Sequence, residues 1–452
     1  MIEKIPPSIQ KVYKKLRDGG FDAYFVGGCV RNMLMDLSVK DWDLATNATP
    51  ENLQKLFPKS FYTNEFGTVG IPTEKYGVVE ITTYRTEGAY SDRRRPDKIS
   101  WGKTIDEDLS RRDFTINAIA LGFHKGDFEN PDIKDPYNGQ KDIELKLIRA
   151  VGDPTQRFKE DSLRLMRAVR LATQLNFDIE EKTGKEIKND SAFIQEISHE
   201  RIRDELFKIL GSADSTKGIL FLKDAGLLTY ILPELLEGID VSQVRPGRHH
   251  TTDVFTHNIL SLKHCPSEDP IVRFAALLHD VGKPKVKGED NAGLVTFYSH
   301  EVAGAKIAYE ICKRLKLSKK ETEKVVTLIR WHMFSVNENL SDAGVRRFIR
   351  RIGVENVGDM IDLRIGDRLG GGTQKAESWR LKKFKERVAG ELAPKPFSIN
   401  DLSINGNDVM RELNLKPGPK VGKILQTLFE EVDEDLAKNN KQYLLERIKK
   451  LE

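Results

Sequence analysis

The sequence predicts an α+β protein in which a head of mixed strands and helices precedes a longer helical remainder. Three observations predict it. Strand-like and helix-like stretches alternate up to about residue 150, and runs such as residues 77–84 are rich in β-branched side chains. From about residue 155 the pattern is almost wholly helical. With 452 residues the chain is too long for one hydrophobic core, so we expect three or four domains.

Composition narrows the class of protein further. The formal net charge is +4, so any surface that binds nucleic acid must be a local patch. Cys29, Cys265 and Cys312 form no Cys-x-x-Cys pair, which indicates a reducing compartment and argues against a zinc–cysteine site. Residues 1–16 lack the apolar core of a signal peptide, and no apolar run approaches membrane-spanning length. We therefore expect a cytoplasmic protein with no membrane partner.

The head is organised around a predicted phosphate-binding turn. Residues 23–26 are apolar or aromatic and predict a strand, Gly27 and Gly28 predict a turn, and residues 31–35 suit a helix. Glycines at such a junction let backbone N–H groups approach a phosphate, where the helix dipole favours negative charge. Arg31 can add side-chain donors to the same oxygens. Alone, a Gly-Gly pair before a helix is typical of an ordinary turn.

A pair of carboxylates follows the turn. Asp41 and Asp43 are two residues apart, so on a strand they point the same way. Neighbouring carboxylates repel unless a cation lies between them, and magnesium is usually held by one or two carboxylates plus substrate phosphates. A lone Asp-x-Asp is common on protein surfaces. Turn and acids together, in this order, predict nucleotidyl transfer from a triphosphate.

Later parts of the head leave alternatives open. Thr49 is suited to cap a helix, and the predicted strand over residues 77–84 carries Glu80. Glu80 is either a third carboxylate of the site or a solvated residue of an edge strand. Arg112 could reach a triphosphate and Asn117 a ribose hydroxyl, although pairs of surface arginines are common.

Four polar residues step by three along the next helical stretch: Asp161, Arg164, Arg167 and Arg170. On one helix they would fan over about half of its circumference, as i,i+3 salt bridges or as a surface facing another domain. A carboxylate only accepts hydrogen bonds and a guanidinium only donates them. Cytosine and adenine both present an amine beside a ring-nitrogen acceptor. Asp161 and Arg164 would therefore accept C and A and reject G and U.

A third unit begins near residue 245 and contains most of the histidines. One histidine on an apolar helix is usually a core residue, but His279-Asp280 directly follows such a helix and Asp367 comes later. Histidine and aspartate in this combination predict a metal site. The histidines of this unit are His249, His250, His257, His264, His279, His300 and His332.

The motifs occur in one order that resembles bacterial class II tRNA nucleotidyltransferases, the CCA-adding enzymes. The resemblance covers about the first 210 residues. It rests on Gly27-Gly28-x-Val30-Arg31, Asp41-x-Asp43, Arg111-Arg112-Asp113-Phe114-Thr115-x-Asn117, Asp135-Pro136-x-x-Gly139 and Glu160-Asp161-x-x-Arg164. The region around His257, His279-Asp280 and Asp367 is similar to the HD phosphohydrolase superfamily.

The resemblance implies a division of the chain into four domains. A DNA polymerase β-like nucleotidyltransferase head would span residues 1–150, and a helical neck that recognises the base would span residues 151–242. An HD-containing body would follow over residues 243–393. A helical tail over residues 394–452 would bind tRNA.

The resemblance also implies an activity and its residues. The enzyme would add C, C and A to the tRNA 3′ end from CTP and ATP without a nucleic-acid template, releasing pyrophosphate. Asp41 and Asp43 would act in catalysis by holding magnesium, and the nucleotide would be bound by Gly28, Arg31, Arg112, Asp161, Arg164, Arg167 and Arg170. The HD site would hold nickel or manganese through His257, His279, Asp280 and Asp367, with His300 and His332 assisting a second ion.

Two features bear on how closely the chain follows this family. Asn32 stands where the family usually has an aspartate, which removes a charge near the metals. The loop over residues 90–103 has full length, and enzymes of the family that add only C and C lack it, so we expect terminal A addition. The alternatives are an A-only enzyme, a poly(A) polymerase, an HD phosphohydrolase with an accessory head, and a non-catalytic tRNA-binding protein. The sequence leaves open whether the protein is a monomer or a homodimer.

Overall fold

The structure is a computed structural model. It describes residues 5–64, 67–87, 99–123, 128, 130–244, 252–334, 336, 340–373, 375–392 and 398–451. Most of the predicted loop over residues 90–103 lies outside the described residues, as do His249, His250 and the first residues of the predicted tail, 394–397. The chain divides into two compact units, Met1–Leu236 with Lys313–Leu317, and Glu237–Cys312 with Ser318–Glu452. The four-domain boundaries stay predictions.

A mixed seven-stranded sheet forms the first part of unit 1, in the order β3-β4-β5-β2-β1-β8-β9. Strands β2 and β5 are parallel and the other neighbours antiparallel, which confirms the predicted α+β class. Pairs β6-β7 and β10-β11 form small separate sheets. The strands are β1 Tyr24–Val26, β2 Asp43–Thr46, β3 Phe61–Asn64, β4 Thr68–Thr73, β5 Gly77–Thr83, β6 Arg85–Glu87, β7 Ile99–Trp101, β8 Ala120–Phe123, β9 Pro131–Lys134, β10 Leu147–Ile148 and β11 Asp178–Ile179.

Helices complete unit 1 and become continuous after the sheet, as the sequence predicts. Short 3₁₀ turns occur at Thr115–Asn117 and Ser191–Glu196. Helix α7 packs against α9 and α10. The helices are α1 Pro7–Asp18, α2 Gly28–Leu34, α3 Pro50–Leu56, α4 Ile105–Ser110, α5 Gly139–Glu144, α6 Pro154–Glu160, α7 Arg164–Leu175, α8 Glu181–Asn189, α9 His199–Leu210, α10 Ser215–Asp224, α11 Leu228–Ile231 and α12 Pro233–Leu236.

Buried aromatic rings position the acidic segment of the head. Trp42 is 2% exposed and meets Phe25 of β1 with ring centroids 5.7 Å apart. Phe25 also stacks on Tyr13 of α1 at 5.2 Å. Since successive side chains of an extended segment alternate in direction, burying Trp42 sends Asp41 and Asp43 away from this core. The β2 strand itself begins at Asp43, so Asp41 precedes the strand on which the sequence placed it.

Within the described residues, unit 2 is mainly helical and also contains a small hairpin of β12 Gly288–Glu289 and β13 Val295–Thr296. Helix α13 packs on α14 and α19, and α14 also packs on α17 and α19. None of the helices in the described segments is long and apolar enough to cross a bilayer. The helices are α13 Val254–His264, α14 Pro270–Leu278, α15 Lys283–Val286, α16 His300–Arg314, α17 Lys319–Trp331, α18 Asp342–Ile352, α19 Val357–Gly370, α20 Trp379–Leu392, α21 Gly406–Glu412, α22 Pro419–Glu434 and α23 Lys441–Ile448.

Candidate functional site

Three carboxylates meet at the start of β2. Strand register places Asp43 directly beside Glu80 of β5, and neighbouring positions in a sheet project to the same side. Burial raises the pKa of Asp43 to about 6; the charges of Glu80 and Asp41 add to the rise, while Arg112 opposes it. The sequence did not decide whether the Glu80 side chain lies in this site or in bulk solvent. The register places it beside Asp43.

The Gly-Gly turn and an arginine close over these acids. Gly27 has a φ of +72°, which disfavours other residues, and a Cβ added there would lie 3.0 Å from Nη1 of Arg112 and 3.7 Å from Oδ2 of Asp43. The turn therefore leaves room for a guanidinium next to the carboxylate. Arg112 donates to the buried carboxylate of Asp108 on α4 at 3.0 and 3.3 Å, which fixes the guanidinium there.

Arg31 is held by two neutral side chains. It donates to Oδ1 of Asn32 at 2.8 and 3.2 Å and to Oδ1 of Asn117 at 2.7 Å. Asn32 stands where the family usually has aspartate. Its amide oxygen accepts hydrogen bonds from Arg31 but, unlike a carboxylate, does not neutralise the charge of Arg31. Asn117, predicted to contact a ribose, accepts from Arg31 and donates to Asp113 at 3.2 Å, and its contact with a ribose stays a prediction. Arg31 thus keeps its charge for an anionic ligand.

An ion pair joins this network to α7. Asp113 is buried and accepts a hydrogen bond of 2.8 Å from Nε of Arg167. Burial alone would raise the pKa of Asp113, but the ion pair with Arg167 holds it well below its usual range. Arg167 was predicted to bind nucleotide, and its guanidinium also fixes the helical part of unit 1 against the sheet part.

The predicted helical fan of four residues is wrong for Asp161. Helix α6 ends at Glu160 and α7 begins at Arg164, and between them Asp161 is extended, with φ −141° and ψ 102°. Its carboxylate accepts the backbone N–H of Leu163 at 3.1 Å. Aspartate readily bonds to nearby backbone in this way, which competes with helix formation. The three-residue spacing therefore does not place Asp161 on the α7 face.

A cavity of about 260 Å³ nevertheless gathers most of the predicted nucleotide-binding residues. Arg170 is not part of this lining; it donates to Glu205 of α9 at 2.6 Å. The guanidinium of Arg164 donates three hydrogen bonds, to the carboxylate of Glu160 and to the backbone carbonyls of Arg157 and Arg111. Two of its five N–H groups remain for a ligand. The lining residues are Arg111, Arg112, Asp113, Asp161, Leu163, Arg164, Arg167 and Arg201.

A second site lies in unit 2, where histidines and aspartates are buried together. Nε2 of His257 lies 3.1 Å from Nε2 of His279 and 3.3 Å from both Oδ2 of Asp280 and Oδ1 of Asp367. The predicted set of four ligands therefore converges. The two groups in the described chain with metal-binding spacing are His257, His279 and Asp280, and Asp280, His300 and His332.

Asp280 bridges the two groups. Its Oδ2 faces His257 and His279, each at 3.3 Å, whereas its Oδ1 lies 3.3 Å from His300 and 3.6 Å from His332. The segment after Asp280 packs closely against the start of α16, which brings His300 near Asp280. A Cβ added to Gly282 would lie 2.2 Å from the carbonyl oxygen of His300. Only glycine lets the segment after Asp280 approach α16 so closely.

Backbone carbonyls fix the imidazole tautomers of this cluster. Nδ1 of His279, His300 and His332 lies 2.9, 2.8 and 2.7 Å from a carbonyl oxygen, so each Nδ1 must be the donor. In a neutral ring this directs the Nε2 lone pair into the cluster. Nε2 of His300 and of His332 are only 3.3 Å apart, and burial lowers the pKa of His332. A proton shared between these two nitrogens, or a metal ion bound by both, would relieve the repulsion of the facing lone pairs.

Comparisons with known proteins agree with this architecture. Residues 23–149 match the family model described as Poly A polymerase head domain, and residues 176–238 match Probable RNA and SrmB- binding site of polymerase A. Residues 287–448 match tRNA nucleotidyltransferase domain 2 putative. The first match contains the three carboxylates and the Gly-Gly turn.

Relatives extend the likeness to the whole chain. A CCA-adding enzyme of Ligilactobacillus salivarius is 32% identical over 464 residues, which cover 100% of this chain and 98% of that enzyme. The chain belongs to the tRNA nucleotidyltransferase family. An A-adding tRNA nucleotidyltransferase of Deinococcus radiodurans is 33% identical over 422 residues, 90% of this chain and 91% of the relative. The CCA-adding enzyme of Bacillus stearothermophilus in complex with CTP matches with a TM-score of 0.73 at 26% identity, covering 98% of each chain.

This tRNA nucleotidyltransferase is therefore an enzyme, and the family that the motifs indicated is confirmed. Nucleotidyltransferases of the family use divalent metal ions. The residues of the head fit such an ion, because Asp43 is crowded by Glu80 and Asp41 and its pKa is raised by burial. A divalent cation would relieve both the repulsion and the cost of burying an ionised carboxylate.

Arg201 also lines the cavity of about 260 Å³ in this tRNA nucleotidyltransferase, and the sequence did not predict it as a site residue. Arg201 of α9 donates from Nη2 to Oδ2 of Asp161 at 2.9 Å. Together with the Leu163 N–H, it holds both carboxylate oxygens of Asp161. In the sequence, Arg201 is one charged residue among several in a stretch with a helical pattern. Forty residues separate it from Asp161, and no local pattern predicts such a pair.

Proposed function

We propose that the enzyme adds C, C and A to the 3′ end of tRNA from CTP and ATP and releases pyrophosphate. The observation that carries this is the position of Arg112. It lies beside Gly27 and Asp43 and also lines the cavity that contains Asp161 and Arg164. A triphosphate at Arg112 would therefore place its base within reach of the Asp161 and Arg164 side chains.

Each part of the site has a proposed role. Arg31 and Arg112 bind the triphosphate through charge-assisted hydrogen bonds. Asp41, Asp43 and Glu80 would hold magnesium, which when bound stabilises charge on the phosphates and lowers the pKa of the attacking hydroxyl. The tRNA 3′-hydroxyl forms a bond to the α-phosphorus and loses its proton, while the bond to the bridging oxygen breaks. The body and tail hold tRNA through its phosphates and shape.

Base selection follows from donors and acceptors. A carboxylate has about four lone-pair directions, so Asp161 can accept an exocyclic amine while it is held by Arg201 and the Leu163 N–H. A remaining N–H of Arg164 can donate to the ring nitrogen. Cytosine and adenine satisfy both groups. Guanine and uracil present a carbonyl to Asp161 and a ring N–H to Arg164, and leave both unpaired.

Incubation of a tRNA that lacks CCA tests this function. We expect two CMP residues from CTP alone and complete CCA from CTP with ATP. The Deinococcus radiodurans relative makes an A-adding enzyme the second candidate, which would act only on tRNA already ending in CC. A poly(A) polymerase would extend with ATP alone. Failure to incorporate CMP under all conditions would contradict the proposal.

Replacement of Arg201 by methionine should weaken base selection. Without Arg201 the Asp161 carboxylate loses a charged hydrogen bond of about 1.5–3 kcal/mol and is no longer held in one orientation. We expect the ratio of kcat/KM for CTP to that for UTP to fall about tenfold, with partial recovery in Arg201→Lys. Arg203→Met on the same helix is the matched control. Equal losses for CTP and UTP would indicate a purely structural role.

We also infer that the buried cluster of unit 2 is a dinuclear metal site that hydrolyses a phosphoester. Support comes from the facing Nε2 atoms and from Asp280, whose two oxygens each face one group of histidines. Nickel suits the imidazole ligands of the cluster, and manganese suits its carboxylates. Metal ions there would activate water and stabilise charge on the phosphate. Hydrolysis adds water across a P–O bond and yields an alcohol and a phosphate.

A further inference from the structure

One row of the seven-stranded sheet runs from the proposed magnesium ligands to the edge of the sheet. Strand register pairs Asp43 of β2 with Glu80 of β5. It also pairs Glu80 with Gly70 of β4, and Gly70 with Phe61 of the edge strand β3. Directly paired positions project to the same side of a sheet. Phe61 therefore lies on the face that carries Asp43 and Glu80, which we call the catalytic face.

The ring of Phe61 is exposed and leans over Gly70. A Cβ added to Gly70 would lie 2.7 Å from Cζ of Phe61 and 2.9 Å from Cγ1 of Val78, so both side chains cover this glycine. Phe61 is 46% exposed, and Val78, two residues before Glu80 on β5, is 41% exposed. The solvated face of a sheet normally carries polar side chains. Phe61 and Val78 instead form an apolar surface beside Glu80.

The proposed triphosphate ligands lie on the other side of the carboxylates. Gly27 directly follows β1, and a Cβ there would approach both Arg112 and Asp43. Strand β1 flanks β2 on one side, whereas β5, β4 and β3 follow on the other. The attacking and leaving oxygens of phosphoryl transfer are roughly in line. With pyrophosphate leaving on the β1 side, the tRNA 3′-hydroxyl approaches from the side of Glu80 and Phe61.

An aromatic ring at this position suits a substrate whose 3′ end changes. During addition of C, C and A, the acceptor ends first in the last nucleotide of the unextended tRNA, then in the first C, then in the second. Hydrogen bonds to a base edge would favour one of these bases. Stacking tolerates all of them, because every base has a π-face. The apolar surface thus matches the chemistry that a changing terminal nucleotide requires.

We propose that Phe61, supported by Val78, stacks on the base of the 3′-terminal tRNA nucleotide and so holds the attacking hydroxyl near Asp43 and Glu80. This inference rests on the proposed transfer to a tRNA 3′ end and adds the residue that holds the acceptor nucleotide. The incoming nucleotide, bound on the other side of the carboxylates, does not contact Phe61.

Steady-state incorporation of CMP into tRNA lacking CCA tests the proposal on the full-length enzyme. We expect Phe61→Ala to lower kcat/KM for tRNA about tenfold and to leave KM for CTP close to that of wild type. Phe61→Tyr and Phe61→Trp should stay close to wild type. Phe61→Leu keeps an apolar side chain without a ring, so it should lose as much as Phe61→Ala. The loss should be similar for acceptors that end in each of the four bases.

A tRNA whose 3′-terminal nucleotide carries no base separates stacking from structural support. On this acceptor Phe61→Ala and wild type should be equally active, because no base is left to stack. Tyr62→Ala is the matched control, since Tyr62 is a 45% exposed aromatic residue of the same strand. It pairs with buried Val69 and so lies on the opposite face of the sheet. This variant should match wild type on both acceptors.

The outcomes distinguish this inference from the proposed function. Wild-type kcat/KM in Phe61→Ala, or an equal loss on acceptors with and without a terminal base, would overturn the stacking role while CMP addition by the wild type stands. A wild-type enzyme that adds no CMP would contradict the proposed function and this inference with it. Unfolding midpoints of the variants within a few degrees of wild type would confirm that each is folded.

Discussion

Asp43→Asn is expected to lower CMP and AMP incorporation about 10³-fold or more. The proposed magnesium site loses a ligand that is fixed beside Glu80, and metal stabilisation of transition-state charge amounts to several kcal/mol, or about tenfold per 1.4 kcal/mol. Asp41→Ala should give a similar loss. Incorporation of radiolabelled CMP into tRNA lacking CCA measures both, and tRNA affinity should stay close to that of wild type.

The stability of Asp43→Asn gives an independent check. Burial raises the pKa of Asp43 to about 6 from an ordinary 3.8, so the metal-free folded protein holds this proton more tightly than the unfolded chain does. Ionised Asp43 therefore lowers stability progressively between pH 3.8 and about 6, and the full cost persists above pH 6. In chelator at pH 7.5 we expect Asp43→Asn to unfold no earlier than wild type. Asp18→Asn, an exposed position at the end of α1, should change neither activity nor stability.

Features set by neighbouring residues could be predicted from the sequence. Trp42 separates Asp41 from Asp43, and simple alternation puts the ring in the core and the acids outside it. Gly27 could be recognised because a helix that follows a strand needs a turn there. The ligands of unit 2 could be recognised by residue type, since His279-Asp280 at the end of an apolar helix, with further histidines nearby, is typical of a metal site.

Contacts between distant segments could not be predicted in this way. The spacing of Asp161 and Arg164 predicts one helix. The Asp161 carboxylate instead accepts the backbone N–H of Leu163, and α7 begins only at Arg164. Arg201 reaches Asp161 only because α9 packs on α7. Glu80 stayed undecided until strand register placed it beside Asp43. Each case depends on tertiary packing, which the periodicity of neighbouring residues does not predict.

Two metal ions per chain are expected in unit 2 after incubation with manganese or nickel and removal of excess metal. The Nε2 atoms of His300 and His332 face each other at 3.3 Å, and those of His257 and His279 at 3.1 Å, so each pair can hold one ion. Elemental analysis should give one ion in His332→Gln. Because Asp280 contacts both pairs, Asp280→Asn should lose both ions. Any magnesium bound in the head is counted separately.

Metal binding to the folded state alone should also stabilise the protein. At a free metal concentration about 100 times Kd the gain is about 2.7 kcal/mol, visible as a higher unfolding midpoint of unit 2. His257→Gln should lose this gain in part, whereas His264→Gln should keep it, because His264 lies on the same helix but is exposed and outside the cluster. A wild-type protein that retains no metal, and whose midpoint does not respond to manganese or nickel, would show that the buried histidines share protons instead. In that case Asp280 would act as a structural counter-ion to His279, whose pKa is raised to about 10 by Asp280 and Asp367 against the effect of burial.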